Sequence, residues 1–98
     1  MDARIADSLE ADLEFIRRKL EESRRALENA DIVIPYDNGG GQMGIRRNPA
    51  FDAYEALLKS FVAALKEYRE HAKMQPSREP QLVKFDNFAK TMRKSVDA

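Results

Sequence analysis

At 98 residues, with seventeen basic side chains against seventeen acidic ones, the chain has the length of one small domain and no net charge. It is too short to bury a large share of its own surface and lacks the charge excess that draws a whole protein to nucleic acid or anionic lipid. The absence of cysteine excludes a disulfide framework and a thiolate metal site. No run approaches the roughly 20 apolar residues of a membrane span, and the charged residues from Asp2 onward lack a signal-peptide core, so the expectation is a cytoplasmic protein with no membrane partner.

From about residue 2 to 30, Leu9, Leu13, Ile16, Leu20 and Leu27 recur at steps that return to one face of a helix, with neither glycine nor proline to interrupt them. The spacing predicts one long amphipathic helix. Glu14, Arg18 and Glu22, and likewise Arg17, Glu21 and Arg25, stand four apart, where opposite charges meet on a helix surface. Arg17, Arg18, Lys19, Arg24 and Arg25 therefore read as a solvated, internally paired face.

Residues 31–48 read as a β-hairpin. Ile32, Val33 and Ile34 are β-branched, Asp37-Asn38-Gly39-Gly40 offers positive-φ turn positions, and Met43 and Ile45 alternate with Gly44 and Arg46. A two-stranded hairpin is unstable alone, so it should pack on the helices or pair with the hairpin of another chain. The same stretch invites a phosphate-loop reading, and its spacing refuses it. Gly39 and Gly44 keep the right gap, yet Ile45 and Arg46 stand where a P-loop needs lysine and a hydroxyl residue. What survives is an anion contact from Arg46 and Arg47, just before a helix N-terminus.

The next helix, about 49–73, opens on Asn48 as N-cap, Pro49 at the first helical position and Asp52 facing the positive end. Phe51, Tyr54, Leu58, Phe61, Leu65, Tyr68 and Ala72 then alternate steps of three and four, and Leu57, Val62 and Ala64 widen the stripe toward a second neighbour. Gln75 to Pro80 reads as a loop. A short amphipathic helix, about 82–95, follows with Leu82, Phe85, Phe88, Ala89 and Met92 on one side and Lys84, Lys90, Arg93 and Lys94 among its charges. This tail is the most basic part of the chain, and Lys90, Arg93 and Lys94 are its candidate phosphate contacts.

Catalysis has little to stand on. His71 is the only histidine, it reads as a surface or helix-end residue, and the carboxylates fall mostly into charge ladders, so neither a triad, a metal set nor an acid–base pair forms in the sequence. No cofactor and no enzymatic activity are expected. The fold expected is mainly α, a long antiparallel helical hairpin with a small β-hairpin excursion between the helices and a short C-terminal helix, assembled into an oligomer. Leu9, Leu13, Ile16, Leu20, Phe51, Tyr54, Leu58, Phe61, Leu65 and Tyr68 would form its core or subunit interface.

The block from Asp37 to Phe51, DNGGGQMGIRRNPAF, with Tyr54 and the apolar helix to Leu65, resembles short phage and prophage proteins related to terminase small subunits. In these a glycine-containing turn leads to an Asn-Pro helix start. The resemblance covers roughly residues 36–70, and the first helix matches in character only. It implies a non-catalytic, oligomeric DNA-packaging component that acts with double-stranded DNA, with the large terminase subunit, or with both. Many such subunits carry an N-terminal helix-turn-helix, whereas the first thirty residues here predict one unbroken helix. A helical protein-interaction module of prophage origin, without nucleic-acid binding, is the alternative.

Overall fold

The computed structural model describes residues 3–37 and 39–97, with side chains as far as residue 92. In chain order it comprises α1 (Ala3–Leu27), the antiparallel strands β1 (Val33–Asp37) and β2 (Met43–Arg47), α2 (Pro49–Met74), a 3-10 turn (Pro76–Arg78) and α3 (Glu79–Asp97). The expected mainly α hairpin with its β excursion is therefore present. The final helix differs from expectation: it is 19 residues long and starts at Glu79, not at about 82. Pro80 lies in its first turn, where a missing N–H breaks no helical hydrogen bond, so it sits inside the helix and not in a loop before it.

In α1 every seventh residue, Ala6, Leu13 and Leu20, is fully buried, and Leu9 and Ile16 between them are half-buried against the same core. This seam faces α2, which runs antiparallel: the Tyr68 hydroxyl near the end of α2 reaches Glu10 near the start of α1. From α2, Phe61, Leu65 and Tyr68 enter the core, with Tyr54, Leu57, Leu58 and Ala64 partly buried around them. Phe51 lies beyond this cluster, half-buried at the start of the helix.

α3 closes the third side of the bundle. Phe85 and Met92, again seven residues apart, are its buried anchors. Phe61 meets the rings of Phe85 and Phe88 edge-on at 6.2 and 5.3 Å, and Tyr68 meets Phe85 in the same way at 6.0 Å. Such contacts add about 0.5–1.5 kcal/mol each to the burial of the rings. The broad stripe on α2 thus serves two neighbours within one chain.

Polar groups fasten the far end of the bundle. Arg78, in the 3-10 turn, places Nη1 2.9 Å from carboxylate oxygens of both Asp7 and Glu10, while Tyr68 donates to Glu10. Three segments meet there at the Glu10 carboxylate. His71, read as a surface or helix-end residue, does lie in the last turn of α2 but is buried there, and its Nδ1 has no hydrogen-bond partner among the described residues. The charge ladder on α1 is only partly as expected. Arg17 bonds Glu14 and, at 2.7 Å, Glu21, and Lys19 takes Glu22 at 3.3 Å. Arg24 turns inward to the Met92 sulfur at 3.0 Å.

The hairpin stands away from this bundle, and neither strand packs broadly on a helix. A 26-residue helix is about 39 Å long at 1.5 Å per residue, and a five-residue strand adds about 17 Å. Laid end to end they account for most of the 60 Å long axis of a molecule only 27 and 17 Å across. The radius of gyration of 17.6 Å likewise exceeds the about 13 Å of a compact chain this size.

Candidate nucleic-acid and partner interface

The turn of the hairpin depends on glycine. Gly39, Gly40 and Gly41 have φ of 90°, 64° and 80°, a region that other residues enter only at a cost. The Gly39 N–H donates to Asp37 Oδ1 at 2.8 Å, which starts the reversal. At the base, the Asn48 N–H donates to the Ile32 carbonyl at 2.6 Å, and Asn48 then caps α2 by accepting from the Ala50 N–H at 3.0 Å. One asparagine therefore ends the hairpin and begins the helix.

The register pairs Val33 with Arg47, Ile34 with Arg46, Pro35 with Ile45, Tyr36 with Gly44, and Asp37 with Met43. Paired residues share a face, so the two faces differ sharply. One carries Ile34, Tyr36, Gly44 and Arg46. There the Arg46 guanidinium lies 5.6 Å from the Tyr36 ring centre, over a ring whose cross-strand neighbour, Gly44, has no side chain. The other carries Val33, Pro35, Met43 and Ile45 with Asp37 and Arg47 at opposite ends. Met43 and Ile45 on it are 66% and 76% exposed, which makes them among the most solvent-exposed large apolar side chains of the protein.

The two adjacent arginines have different surroundings. Arg47 holds Asp52 at 3.2 Å and Glu55 at 2.6 Å, both on the first turns of α2. The hydrogen bond to Glu55, with the charges of Glu55 and Asp52, pushes its guanidinium above the ordinary arginine value. Arg46 is exposed, and among the described residues no carboxylate lies within ion-pair distance of it. Arg46 is the cation of the pair that is open to an outside anion; Arg47 is already neutralised.

The tail candidates divide as well. Lys90 lines a shallow groove of about 260 Å³ between α2 and α3, beside Lys66, Arg69 and Asp86. Sequence reasoning misses its basic neighbours Lys66 and Arg69; their three-residue spacing on the exposed flank of α2 is the signal that could have found them. The side chains of Arg93 and Lys94 lie outside the described residues. The backbone carrying them continues α3 past Met92, whose sulfur is 3.5 Å from the Tyr54 hydroxyl, so this helix ends toward the hairpin end of the bundle.

At that same end a mostly apolar groove of about 540 Å³ runs between α1 and α2, lined among others by Leu27, Ile32, Phe51, Tyr54 and Leu58. Among the described residues no group of three His, Asp or Glu side chains could hold a metal ion, and no helix is long and apolar enough to cross a membrane. No protein-family model, curated protein or solved structure matches the chain.

Proposed function

We propose that this chain is a non-catalytic phage DNA-packaging component of the terminase small-subunit kind, acting in the bacterial cytoplasm as an oligomer with double-stranded DNA, the large terminase subunit, or both. The reading rests on the block from Asp37 to Phe51. Its residues act as one local unit, a glycine turn, a projecting hairpin and an Asn-Pro helix start. The observation that carries the DNA part is Arg46, exposed on that hairpin without an acidic partner among the described residues. A side chain so placed meets a phosphate oxygen without first breaking an internal ion pair.

The contact in this reading is to the backbone of DNA. α1 runs unbroken through 25 residues, so no turn presents a recognition helix there, and sequence choice falls to another subunit or to DNA shape. Binding of a labelled duplex at about 50 and about 200 mM salt tests the proposal, because phosphate contacts lose affinity steeply over that range. Binding that salt abolishes supports it. An absence of binding at the lower salt, together with no capture of a large terminase subunit, refutes it.

A protein-interaction module that never touches nucleic acid is the second reading. Two observations favour it: Arg47 is neutralised by Asp52 and Glu55, and one hairpin face is an exposed apolar row. Capture of a helical protein partner without any duplex binding would select it.

A further inference from the structure

We propose that the groove between α1 and α2 at the hairpin end is a binding site for a small aliphatic carboxylic acid, whose carboxylate is held by Arg24 and Tyr54 while its hydrocarbon chain lies along Leu27, Ile32, Phe51 and Leu58. The site goes beyond the packaging reading and needs neither DNA nor a second chain. Its volume of about 540 Å³ falls within the about 300–1,000 Å³ typical of small-molecule pockets, which pair apolar walls with a few convergent polar groups. The lining here has that composition.

Two donors converge there on one weak acceptor. Arg24 Nη1 lies 3.0 Å from the Met92 sulfur, and the Tyr54 hydroxyl donates to the same sulfur at 3.5 Å. A thioether is a poor acceptor, and neither donor has a carboxylate or carbonyl partner among the described residues. Both side chains are half-buried and both line the groove. A carboxylate that takes the place of the sulfur as acceptor receives stronger, charge-assisted hydrogen bonds from both, with no internal ion pair to break.

Charge and walls together select the occupant. Of the two carboxylates on the lining, Glu55 is held by Arg47 at 2.6 Å and Glu28 is exposed, so an anionic head meets a guanidinium that no carboxylate pairs among the described residues. The remaining walls, Leu27, Ile32, Phe51 and Leu58, offer no side-chain partner for the amides and carbonyls of a peptide, and burying those groups unpaired is costly. A hydrocarbon chain makes no such demand. It also covers Ile32, which is 63% exposed, and gains from the apolar area that both remove from water.

Titration of the isotope-labelled full chain with octanoate and, in parallel, with octanol, followed through its amide resonances near neutral pH, is the test. Octanoate should give saturable shifts at Leu27, Ile32, Phe51 and Leu58 with a dissociation constant on the order of 0.1–1 mM, and octanol, with the same chain length and no charge, should bind about tenfold more weakly. Arg24→Gln should weaken octanoate about tenfold and leave octanol unchanged, which separates the lost charge from a change in the groove itself. Glu28→Gln removes a like charge and should strengthen octanoate about twofold. Octanoate shifts that do not saturate below about 4 mM, equal affinity for the two probes, or an Arg24→Gln variant that binds octanoate like the wild type would each overturn the proposal. The comparison of the two probes needs only the wild type, so it decides even where Arg24→Gln fails to fold.

Discussion

Asn48 Nδ2 donates to the Asp31 carbonyl at 3.1 Å while Asn48 Oδ1 accepts from the Ala50 N–H at 3.0 Å. A single carboxamide therefore ties the chain entering the hairpin to the helix leaving it. Asn48→Ala removes the cap and the tie together and is expected to cost about 1–2 kcal/mol. Asn48→Asp retains an acceptor for the helix N-terminus, loses the donor to Asp31, and should fall between the two. Urea denaturation followed by circular dichroism orders the three proteins. An alanine variant as stable as the wild type would mean that the junction is held by the hairpin alone.

Phe61 is the centre of the aromatic core, fully buried and edge-on to both Phe85 and Phe88. Truncation to alanine leaves a cavity among three helices and should cost about 3–5 kcal/mol. A domain this small has little stability in reserve, so Phe61→Ala is expected to be largely unfolded near 37 °C, a temperature close to the low end of about 45–65 °C for domain melting. The adjacent Val62 is 43% exposed, and Val62→Ala should change stability by no more than about 0.5 kcal/mol. Similar losses at the two positions would mean that α3 does not cover Phe61.

Tyr68 links stability to alkaline pH. Burial first, then its hydrogen bond to Glu10, raises the hydroxyl from an ordinary value of 10.0 to about 12. The folded state thus holds this proton more tightly than the unfolded chain does. The contribution is fully present below about pH 10 and is lost as pH rises toward about 12. Tyr68→Phe should flatten that part of the stability profile relative to the wild type, at a cost near neutrality of about 1–2 kcal/mol for the missing hydrogen bond. Glu14 acts at the acid end with the opposite sign. Its hydrogen bond to Arg17 lowers its pKa, so its contribution disappears as pH falls below the ordinary carboxylate range. Parallel alkaline slopes for wild type and Tyr68→Phe would exclude the tyrosine as their source.

Much of this fold is legible from spacing, because the seven-residue repeats of Leu13 and Leu20 and of Phe85 and Met92 are direct consequences of helical periodicity. The Asn48–Pro49 start is legible for the same kind of reason, since capping is local chemistry. What stays hidden depends on packing between distant segments. His71 stands in a polar sequence context, yet it lies three residues after Tyr68 and beside Ala72, on the side of α2 that is buried. Pro80 resembles a terminator in sequence, because a proline in the first turn of a helix and one in a loop carry the same local signal. At the candidate interface, the sequence treats Arg46 and Arg47 as equals. The alternation of a strand sends them to opposite faces, and the start of α2 then supplies carboxylates to only one of them.

That difference makes the packaging proposal testable at single-residue resolution. Arg47 must give up Asp52 and Glu55 before it can hold a phosphate, whereas Arg46 leaves only the face of Tyr36. If the hairpin touches DNA, Arg46→Ala should weaken duplex binding more than Arg47→Ala. It should also reduce the slope of log affinity against log salt by about one, the signature of removing a single phosphate interaction. Arg47→Ala should act mainly on stability, by leaving Asp52 and Glu55 without their cation, and its salt slope should match the wild type. Fluorescence anisotropy of a labelled duplex over a salt series, with a denaturation curve for each variant, separates the two effects. Equal salt slopes for wild type and Arg46→Ala would remove the hairpin from the DNA interface and shift the search to the groove holding Lys66, Arg69 and Lys90.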